Sequence, residues 1–405
     1  MDPAARLSLA SSLLSAGRAG EALAALAGLD GARARLMAGV ALSQLERMEE
    51  AHEAFAGAVA AAPGDPGPAQ YLASTLYKLR RPAEALAALD AVPADAGWGR
   101  DWIEAQCRLV LGDWDRGWTL WERRPTRRHG PWASAAPDWR PGVAGDVVVW
   151  SEQGAGDAIQ AARFLAPLAG TGARVRIAGP PSLTAWLSDW PGVAGVAEPG
   201  ARCDAQVPFE SLQAWFAPTP AAAEALAPVT RPPRRGDGRL RVGIAWRGNP
   251  ERPWNDRRSI PPALLASLTD LEGVDWFSLL GPDDHAAVGP LGVADASAQT
   301  KGWAALADFV AGLDLVVSVD TAANHVAGAV GTPSLLLLAM HQDCRWGLGD
   351  RTDWYPGCRI LRQTGFGDWT APIAQARTRV TQMRGTGALT PAATHAASAG
   401  PETAP

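Results

Sequence analysis

Three polar turns, each following an apolar run, carry the side chains best suited to bind or react. The first turn covers residues 151–160, where Gly154 and Gly156 precede Asp157. A glycine-bearing turn between an apolar run and a helix-like stretch typically begins a Rossmann-type unit. The third glycine of a dinucleotide fingerprint is absent, which disfavours an NAD site. Asp157, at the start of a helix, can either cap that helix or take a proton from a reacting hydroxyl.

The second and third turns are rich in groups that hold anions. Arg258 lies in the polar, arginine-rich loop 247–261, and Thr321 and Ala322 begin a helix of small residues after the apolar run 313–319. The free amides at a helix start bind phosphate, and a guanidinium can add a bidentate contact. The alternative for Arg258 is a solvated loop charge.

Four further residues near these turns each have two interpretations. Asp320 either orients its turn or holds a ribose hydroxyl, and plain helix capping is an equal alternative. His325 lies one helical turn beyond Thr321, where a packed structural histidine is more common than a ligand contact. Trp246 and Asn249, which open the second turn, are expected to contact the donor or the acceptor, and for the tryptophan a packing role is the alternative.

Short apolar runs must position these turns, and their length indicates buried parallel strands. The runs alternate with helix-like segments in two blocks, which predicts two Rossmann-type halves with a ligand cleft at the carboxyl ends of their strands. We assign residues 146–216 to the first half, 217–238 to a linker rich in Pro, Ala and Arg, and 239–383 to the second half. The low-complexity tail, residues 384–405, is predicted to be disordered.

The N-terminal third is self-similar. Glu50 and Glu84 each precede an alanine and lie 34 residues apart, which is the tetratricopeptide period. We predict helical repeats over residues 1–124 and a linker or latch over residues 125–145. Stacked repeats present a concave face, which either docks a protein or peptide or only stabilises the rest of the chain.

The last repeat is degenerate and rich in tryptophan. We predict that Trp114, Trp118 and Trp121, here called the tryptophan seam, pack onto the α/β part. Repeats fold through contacts with their nearest neighbours. We therefore expect the α/β part to hold its own hydrophobic cores without the repeat array.

Composition excludes several classes of protein. The net charge of −5 gives no basic excess, which argues against nucleic acid as the main partner. No apolar run reaches the ~20 residues of a membrane-spanning helix, and the N-terminal residues lack the pattern of a signal peptide. The four cysteines are scattered without C-x-x-C spacing, and no His, Asp or Glu cluster indicates a metal. We expect a cytoplasmic protein without a metal or other cofactor.

Four sequence blocks together resemble the heptosyltransferase-type family 9 glycosyltransferases, in the form that is fused to tetratricopeptide repeats. The blocks are residues 152–157, residues 245–250 with 256–261, residues 318–325, and residues 343–346 with 354–356. They span residues 146–370, and the resemblance implies the GT-B layout of two Rossmann-like halves. Two departures stand out: Ala322 replaces a glycine of that family, and Arg258 replaces its phosphate-contacting lysine.

The resemblance implies a metal-independent, inverting transfer of a sugar from a nucleotide diphosphate donor. The aspartate that closes the first glycine loop is the family's proposed base, and Asp157 occupies that place. The residues expected to contact the donor are Gly154, Gly156, Trp246, Asn249, Arg258, Ser259, Asp320, Thr321, Ala322 and His325. The first half then faces the acceptor and the second half faces the nucleotide sugar. The acceptor is expected to be a protein, such as a flagellin, or a cell-surface glycan precursor, selected by the groove of the repeats.

Two other functions remain open at this point. A non-catalytic adaptor built on tetratricopeptide repeats binds a partner but releases no nucleotide. A nucleotide-sugar epimerase shares the two-half fold and changes the sugar while leaving its nucleotide attached. A transferase liberates nucleoside diphosphate only when the acceptor is present.

Overall fold

The architecture follows the sequence prediction: a tetratricopeptide-type helical array precedes a GT-B-like pair of Rossmann-type halves. The structure, a computed structural model, describes residues 2–225, 238–251 and 255–386. Residues 226–237 of the predicted linker and residues 387–405 of the predicted tail lie outside this range. Across the described residues, no helix combines the length and apolar character needed to cross a bilayer.

Residues 3–121 form four helix pairs, one for each predicted repeat. Their bounds are α1 Pro3–Ser15, α2 Ala19–Leu26, α3 Ala32–Gln44, α4 Met48–Ala61, α5 Pro66–Lys78, α6 Pro82–Leu89, α7 Trp98–Val110 and α8 Trp114–Trp121. The alanines at the helix crossings, Ala22, Ala51 and Ala85, are fully buried. Small side chains there let the two helices of a repeat approach closely.

In the second and third repeats, the turn between the two helices contains a residue with a strained backbone conformation. Glu46 and Arg80 both have φ of 60°, a left-handed conformation that glycine adopts freely and other residues adopt at a cost. Glu46 Oε1 lies 2.8 Å from Arg257 Nε, and Arg80 Nη1 donates to the carbonyl of Gln363 at 3.0 Å. These two turns therefore dock the array on the second half.

The first half contains a parallel sheet with helices between its strands. The strands are β1 Gly145–Trp150, β2 Ala173–Ala178, β3 Val193–Val196 and β4 Ala205–Pro208; the helices are α9 Ala155–Ala161, α10 Leu165–Gly170, α11 Pro181–Leu187, α12 Phe209–Phe216 and α13 Pro220–Ala225. Among the described residues the spatial order is β3-β2-β1-β4. The order therefore reverses between β1 and β4. Open parallel sheets bind ligands at such a switch point, outside the carboxyl ends of the strands.

The second half repeats this plan with a larger parallel sheet. Its strands are β5 Leu240–Ala245, β6 Val274–Ser278, β7 Ala294–Asp295, β8 Leu315–Val319, β9 Ser334–Leu338 and β10 Cys358–Arg362; its helices are α14 Asn255–Arg258, α15 Ala266–Thr269, α16 Pro282–His285, α17 Trp303–Ala311, α18 Ala322–Val330 and α19 Thr370–Thr386. The order in the described sheet is β10-β9-β8-β5-β6-β7. Its switch point lies between β5 and β8.

The tryptophan seam is present, and it joins the array to the α/β part more closely than predicted. Its three rings belong to one hydrophobic cluster with β1 and β2. The Trp114 ring stacks on Trp354 with centroids 5.4 Å apart, and Trp118 Nε1 donates to the carbonyl of Ala217 at 3.1 Å. The last repeat therefore contributes three rings to the core of the first half. The expectation that the α/β part holds its cores without the repeats stays a prediction, and the tryptophan seam is the contact that their removal would break.

Residues 125–145, predicted as a linker or latch, pack along the first sheet. Trp139 is buried, and its backbone N–H donates to the carbonyl of Gln206 at 2.7 Å. The neighbouring Asp138 forms an isolated parallel bridge with Gln206. This segment therefore covers the edge strand β4 after leaving the repeat array.

Candidate functional site

The predicted donor residues lie in the two loops that flank the switch point of the second sheet. Arg258 lies in the loop after β5, and Asp320 and Thr321 follow β8. Strands β5 and β8 pair in parallel, with Ala245 opposite Ser318 at their carboxyl ends. Both loops therefore leave the same edge of the sheet, where ligands of such folds bind.

Asp320 and Thr321 form the turn into α18. Burial raises the pKa of Asp320, and the positive charges of Arg345 and Arg258 oppose that rise. The Thr321 hydroxyl lies 3.1 Å from the hydroxyl of Ser318, and it makes no cap hydrogen bond to the α18 amides. The Thr321 side chain thus does not compete with an anion at this helix start.

Arg258 is held close to the backbone of its loop. A Cβ added to Gly248 would lie 2.7 Å from Arg258 Nη2 and 2.8 Å from Asn255 Oδ1, so both side chains lie against the backbone of this glycine. Arg258 Nε and Asn255 Oδ1 are buried and have no hydrogen-bond partner within the described ranges. Buried unpartnered polar atoms are costly, and an oxygen-rich ligand with a hydroxyl can satisfy both.

Three other predicted donor contacts maintain the local structure. Ser259 donates its hydroxyl to the carbonyl of Asn255 at 2.7 Å, and Asn249 Oδ1 accepts the backbone N–H of Glu251 at 2.9 Å. Trp246 is buried in the second hydrophobic core. The structure thus places these three residues in the loop after β5, but their side chains form hydrogen bonds or pack inside the protein.

Gly156 and His325 pack the two halves together. A Cβ on Gly156 would lie 2.8 Å from His325 Cδ2 and 3.5 Å from the Cα of Ala322, so α9 and α18 meet through this glycine. His325 is buried, with Nδ1 2.9 Å from the hydroxyl of Tyr355. Burial, reinforced by the positive charge of Arg345, holds the pKa of His325 well below its usual value. The ring is neutral and serves here as packing between the halves.

Asp157, the predicted base, links the first switch point to the second half. Its Oδ2 accepts the backbone N–H of Gly154 at 3.0 Å, and its Oδ1 forms an ion pair with Arg345 of the second half. Arg345 also contacts Asp343, with Nε 3.0 Å from Oδ1, and donates to Gln160 Oε1 at 2.6 Å. Burial lowers the pKa of Arg345, but Asp343 and Asp157 outweigh it and raise this pKa well above its usual value. The helix-capping interpretation of Asp157 is observed, and the same carboxylate faces the second half.

The glycine turn that carries Asp157 is anchored by an arginine that the sequence did not reveal. Arg124, at the end of the last repeat, is buried against Glu152: Nε is 2.9 Å from Oε1 and Nη2 is 2.7 Å from Oε2. Arg124 also donates to Ser211 at 2.8 Å and to Glu122 at 2.9 Å. This bidentate pair fixes the turn with both geometry and charge.

A second buried carboxyl group, Glu210, lies at the switch point of the first sheet. It lies two residues after the end of β4, and its Oε1 accepts the backbone N–H of Gln153 at 3.1 Å. Burial, followed by the charges of Asp157 and Glu152, raises the pKa of Glu210 to about 8. Glu210 is therefore mostly protonated at neutral pH. The sequence analysis missed it, although an acidic residue two positions after a buried strand was a usable signal.

Glu210→Gln is expected to alter the pH dependence of stability. An unfolded glutamate has a pKa of about 4.3, so from about pH 5 to about pH 8 the folded protein holds a proton that the unfolded chain lacks. Stability then falls as pH rises through this window, by at most ~1.4 kcal/mol per pH unit, and levels off above it. Urea unfolding should therefore show that the free energy of unfolding of Glu210→Gln, relative to that of wild type, rises as the pH increases from about 5 to about 8. Parallel profiles, like those expected for the exposed control Glu53→Gln, would contradict this.

A known protein family matches a segment of the second half that contributes to this site. Residues 302–355 match the family model of glycosyltransferase family 9 (heptosyltransferase). The predicted resemblance is confirmed for this segment. It contains the Asp320–Thr321 turn, His325 and Arg345, and thus much of the second half's contribution to the site. No curated protein matches the chain significantly. The described residues contain no group of three or more His, Cys, Asp or Glu side chains placed to hold a metal ion.

Solved structures similar to this chain include transferases and a repeat protein. The E. coli heptosyltransferase WaaC with ADP is 14% identical over 60% of this chain and 99% of its own, with a TM-score of 0.41. The Thermobaculum terrenum O-GlcNAc transferase is 14% identical over 84% of this chain and 82% of its own, with a TM-score of 0.32. YrrB, a tetratricopeptide protein with an unusual peptide-binding site, is 25% identical over 31% of this chain and 70% of its own, with a TM-score of 0.28.

Proposed function

We propose that this chain transfers a glycosyl group from a nucleoside diphosphate donor to an acceptor hydroxyl. The observation that carries the proposal is the convergence of two switch points. Asp157 lies beside the first, and Arg258 and Thr321 lie at the second. Arg345, in the loop after β9, forms an ion pair with Asp157 and acts through its charge on Asp320, which precedes Thr321. The family match over residues 302–355 supports the same chemistry.

The donor diphosphate binds at the switch point of the second sheet. The start of α18 supplies backbone amides and a positive helix end, and Arg258 supplies a guanidinium whose Nε lacks a partner in the described chain. Together they stabilise the negative charge that develops as the diphosphate leaves. Asp320, between these two features, holds a ribose hydroxyl.

Asp157 accepts the proton of the acceptor hydroxyl. The acceptor oxygen bonds to the anomeric carbon as the bond to the diphosphate oxygen breaks, and the diphosphate departs with that electron pair. Attack from the face opposite the diphosphate inverts the anomeric centre. Gly154 and Arg345 orient the carboxylate, and each carboxylate oxygen has a further lone pair with which to receive the proton.

The repeat array selects the acceptor, which we propose to be a protein, such as a flagellin, or a cell-surface glycan precursor. Stacked repeats offer a concave binding face. Because the tryptophan seam belongs to the core of the first half, the last repeat packs directly against the half that carries the predicted base.

A nucleotide-release assay tests the proposed reaction. The full chain is incubated with UDP-, GDP- or ADP-linked sugars, with and without an extract of cells that lack it. A transferase liberates nucleoside diphosphate only with the extract, and EDTA leaves the rate unchanged. Sugar conversion with the nucleotide still attached would identify an epimerase, and partner binding without release would identify an adaptor.

Arg258→Ala is expected to weaken nucleoside diphosphate binding by about 1.5–3 kcal/mol, the scale of a hydrogen bond to a charged group. Isothermal titration calorimetry measures this directly. Arg47→Ala is the matched control, because Arg47 forms an exposed ion pair with Glu50 in the repeat array. Equal affinity in Arg258→Ala and wild type would remove Arg258 from the donor site.

A further inference from the structure

A small pocket lies where the last repeat helix meets the first half. Its lining includes Trp121 of α8, Asp157 and Gln160 of α9, Glu210 of α12, and Arg345 of the second half. Its free volume is about 20 Å³, which accommodates one oxygen-sized group. The pocket is therefore too small for a sugar ring and large enough for a water or a hydroxyl.

Three of the residues that line this pocket each have a buried polar atom without a partner. Trp121 Nε1, Gln160 Nε2 and Glu210 Oε2 are buried without a hydrogen bond within the described residues. Each of the three side chains belongs to a residue that is only 3% exposed. A buried unpartnered polar atom costs about 1–3 kcal/mol, so the pocket is built for a group that hydrogen-bonds.

The chemistry of the lining selects a neutral hydroxyl. Trp121 and Gln160 each offer an N–H, and an alcohol oxygen accepts two hydrogen bonds while donating one. The carboxylates of Asp157 and Asp343 disfavour an anion, Arg345 disfavours a cation, and the two N–H groups need an acceptor oxygen. The remaining proton of the alcohol can point at a carboxyl oxygen.

The location is that of a ligand site. Glu210 follows β4, and the turn that begins α9 follows β1, so the pocket lies at the switch point of the first sheet. Parallel sheets of this order bind ligands there. Asp157, the proposed base, lines the same pocket.

We propose that this pocket, here called the hydroxyl pocket, receives the acceptor's reacting hydroxyl, so that the last helix of the repeat array forms part of the acceptor site. Trp121 and Gln160 donate to the two lone pairs of the resting hydroxyl oxygen, and its proton faces Asp157. In the reaction the Gln160 contact is released, and that lone pair bonds to the anomeric carbon while Asp157 takes the proton. The inference rests on the proposed function. It goes further in assigning the acceptor site jointly to the repeats and the first half.

Trp121→Phe tests the hydroxyl pocket, because it keeps an aromatic ring against Trp102 and Trp118 and removes the N–H together with part of the indole ring. We expect kcat/KM for the acceptor to fall by about 3–10-fold, the scale of one neutral hydrogen bond, with donor affinity unchanged. Trp215→Phe is the matched control, since Trp215 also has a buried unpartnered Nε1 but lies outside the pocket. Equal loss in both variants, or no loss in Trp121→Phe, would overturn the proposal.

A binding measurement separates this inference from the proposed reaction. In 15N–1H spectra of tryptophan-labelled full chain, the Trp121 indole signal is assigned by its absence in Trp121→Phe. We expect it to shift when methyl glucoside or N-acetylserinamide is added, and the probe that shifts it identifies a sugar or a protein hydroxyl. A shift without any nucleotide release would support the pocket while contradicting glycosyl transfer. No shift with either probe would overturn the pocket even if transfer is observed.

Discussion

Asp157→Asn is expected to lower glycosyl transfer by about 10²–10⁴-fold, the usual contribution of a general base. The asparagine side chain still accepts the Gly154 N–H that caps α9, but it cannot take the acceptor proton. Arg345 retains Asp343 and Gln160 as partners, so the fold should persist. Transfer is measured as nucleoside diphosphate release at saturating donor.

Donor binding distinguishes catalysis from positioning in this variant. We expect calorimetry to give the same donor affinity for Asp157→Asn and wild type, because the donor contacts lie in the loops after β5 and β8. Asp65→Asn is the control, since Asp65 also caps a helix start, at Gly67 in the third repeat, far from the chemistry. Transfer within threefold of wild type in a folded Asp157→Asn protein would exclude Asp157 as the base.

Arg124→Ala is expected to destabilise the protein by about 3–5 kcal/mol, the cost of leaving a buried ion pair without one partner. Glu152 loses a bidentate contact while its side chain stays buried, at 2% exposure. The effect is measured as the loss in unfolding free energy from urea titrations monitored by tryptophan fluorescence. The turn that carries Asp157 should loosen as well, because Glu152 directly precedes it.

Two comparisons test this interpretation of Arg124. Arg81→Ala breaks an exposed ion pair with Glu84 in the repeats and should cost no more than ~1 kcal/mol. Arg124→Ala combined with Glu152→Gln should lose less than Arg124→Ala alone, because the uncompensated buried carboxylate is gone. An Arg124→Ala loss equal to that of Arg81→Ala would show that the buried pair does not anchor the turn.

The local sequence pattern was sufficient to predict the helices and strands, and also the sheet edges at which the loops of the candidate site begin. Apolar runs such as residues 147–150 and 315–319 are buried strands in the structure, because a strand covered on both faces must be apolar throughout. Polar turns after such strands lie at the carboxyl edge of a sheet. This is why Asp157, Arg258 and Thr321 could be placed at the carboxyl ends of strands before the strand order was known.

Partners distant in sequence could not be predicted in this way. The Asp157–Arg345 ion pair joins residues 188 positions apart, and nothing local in either segment specifies the other. Arg124 resembles the other arginines around it, and its burial depends on how the last repeat meets the first half. The roles of Trp246 and Asn249 were equally open, because a loop pattern does not distinguish a side chain that closes its own turn from one that meets a ligand.

Because the last repeat shares a hydrophobic core with the first half, the repeat array has a structural role in addition to its proposed binding role. A detachable docking module would leave the α/β part intact when removed. Here Trp114, Trp118 and Trp121 complete a hydrophobic cluster of the first half, and Arg124 anchors the turn beside the predicted base. The repeats are therefore part of the structure that positions the site, besides being the proposed face for the acceptor.

The most direct test of the central claim is a thermal-shift screen of the full chain against UDP-, GDP- and ADP-linked sugars, with CMP-linked sugars as donors that lack a diphosphate. The account predicts that at least one diphosphate donor stabilises the protein, by about 2.7 kcal/mol at 100 times its Kd, with or without EDTA. It also predicts that Arg258→Ala reduces this stabilisation while Arg47→Ala does not. Absence of stabilisation by every diphosphate donor, or stabilisation that Arg258→Ala leaves unchanged, would contradict a donor site at the switch point of the second sheet.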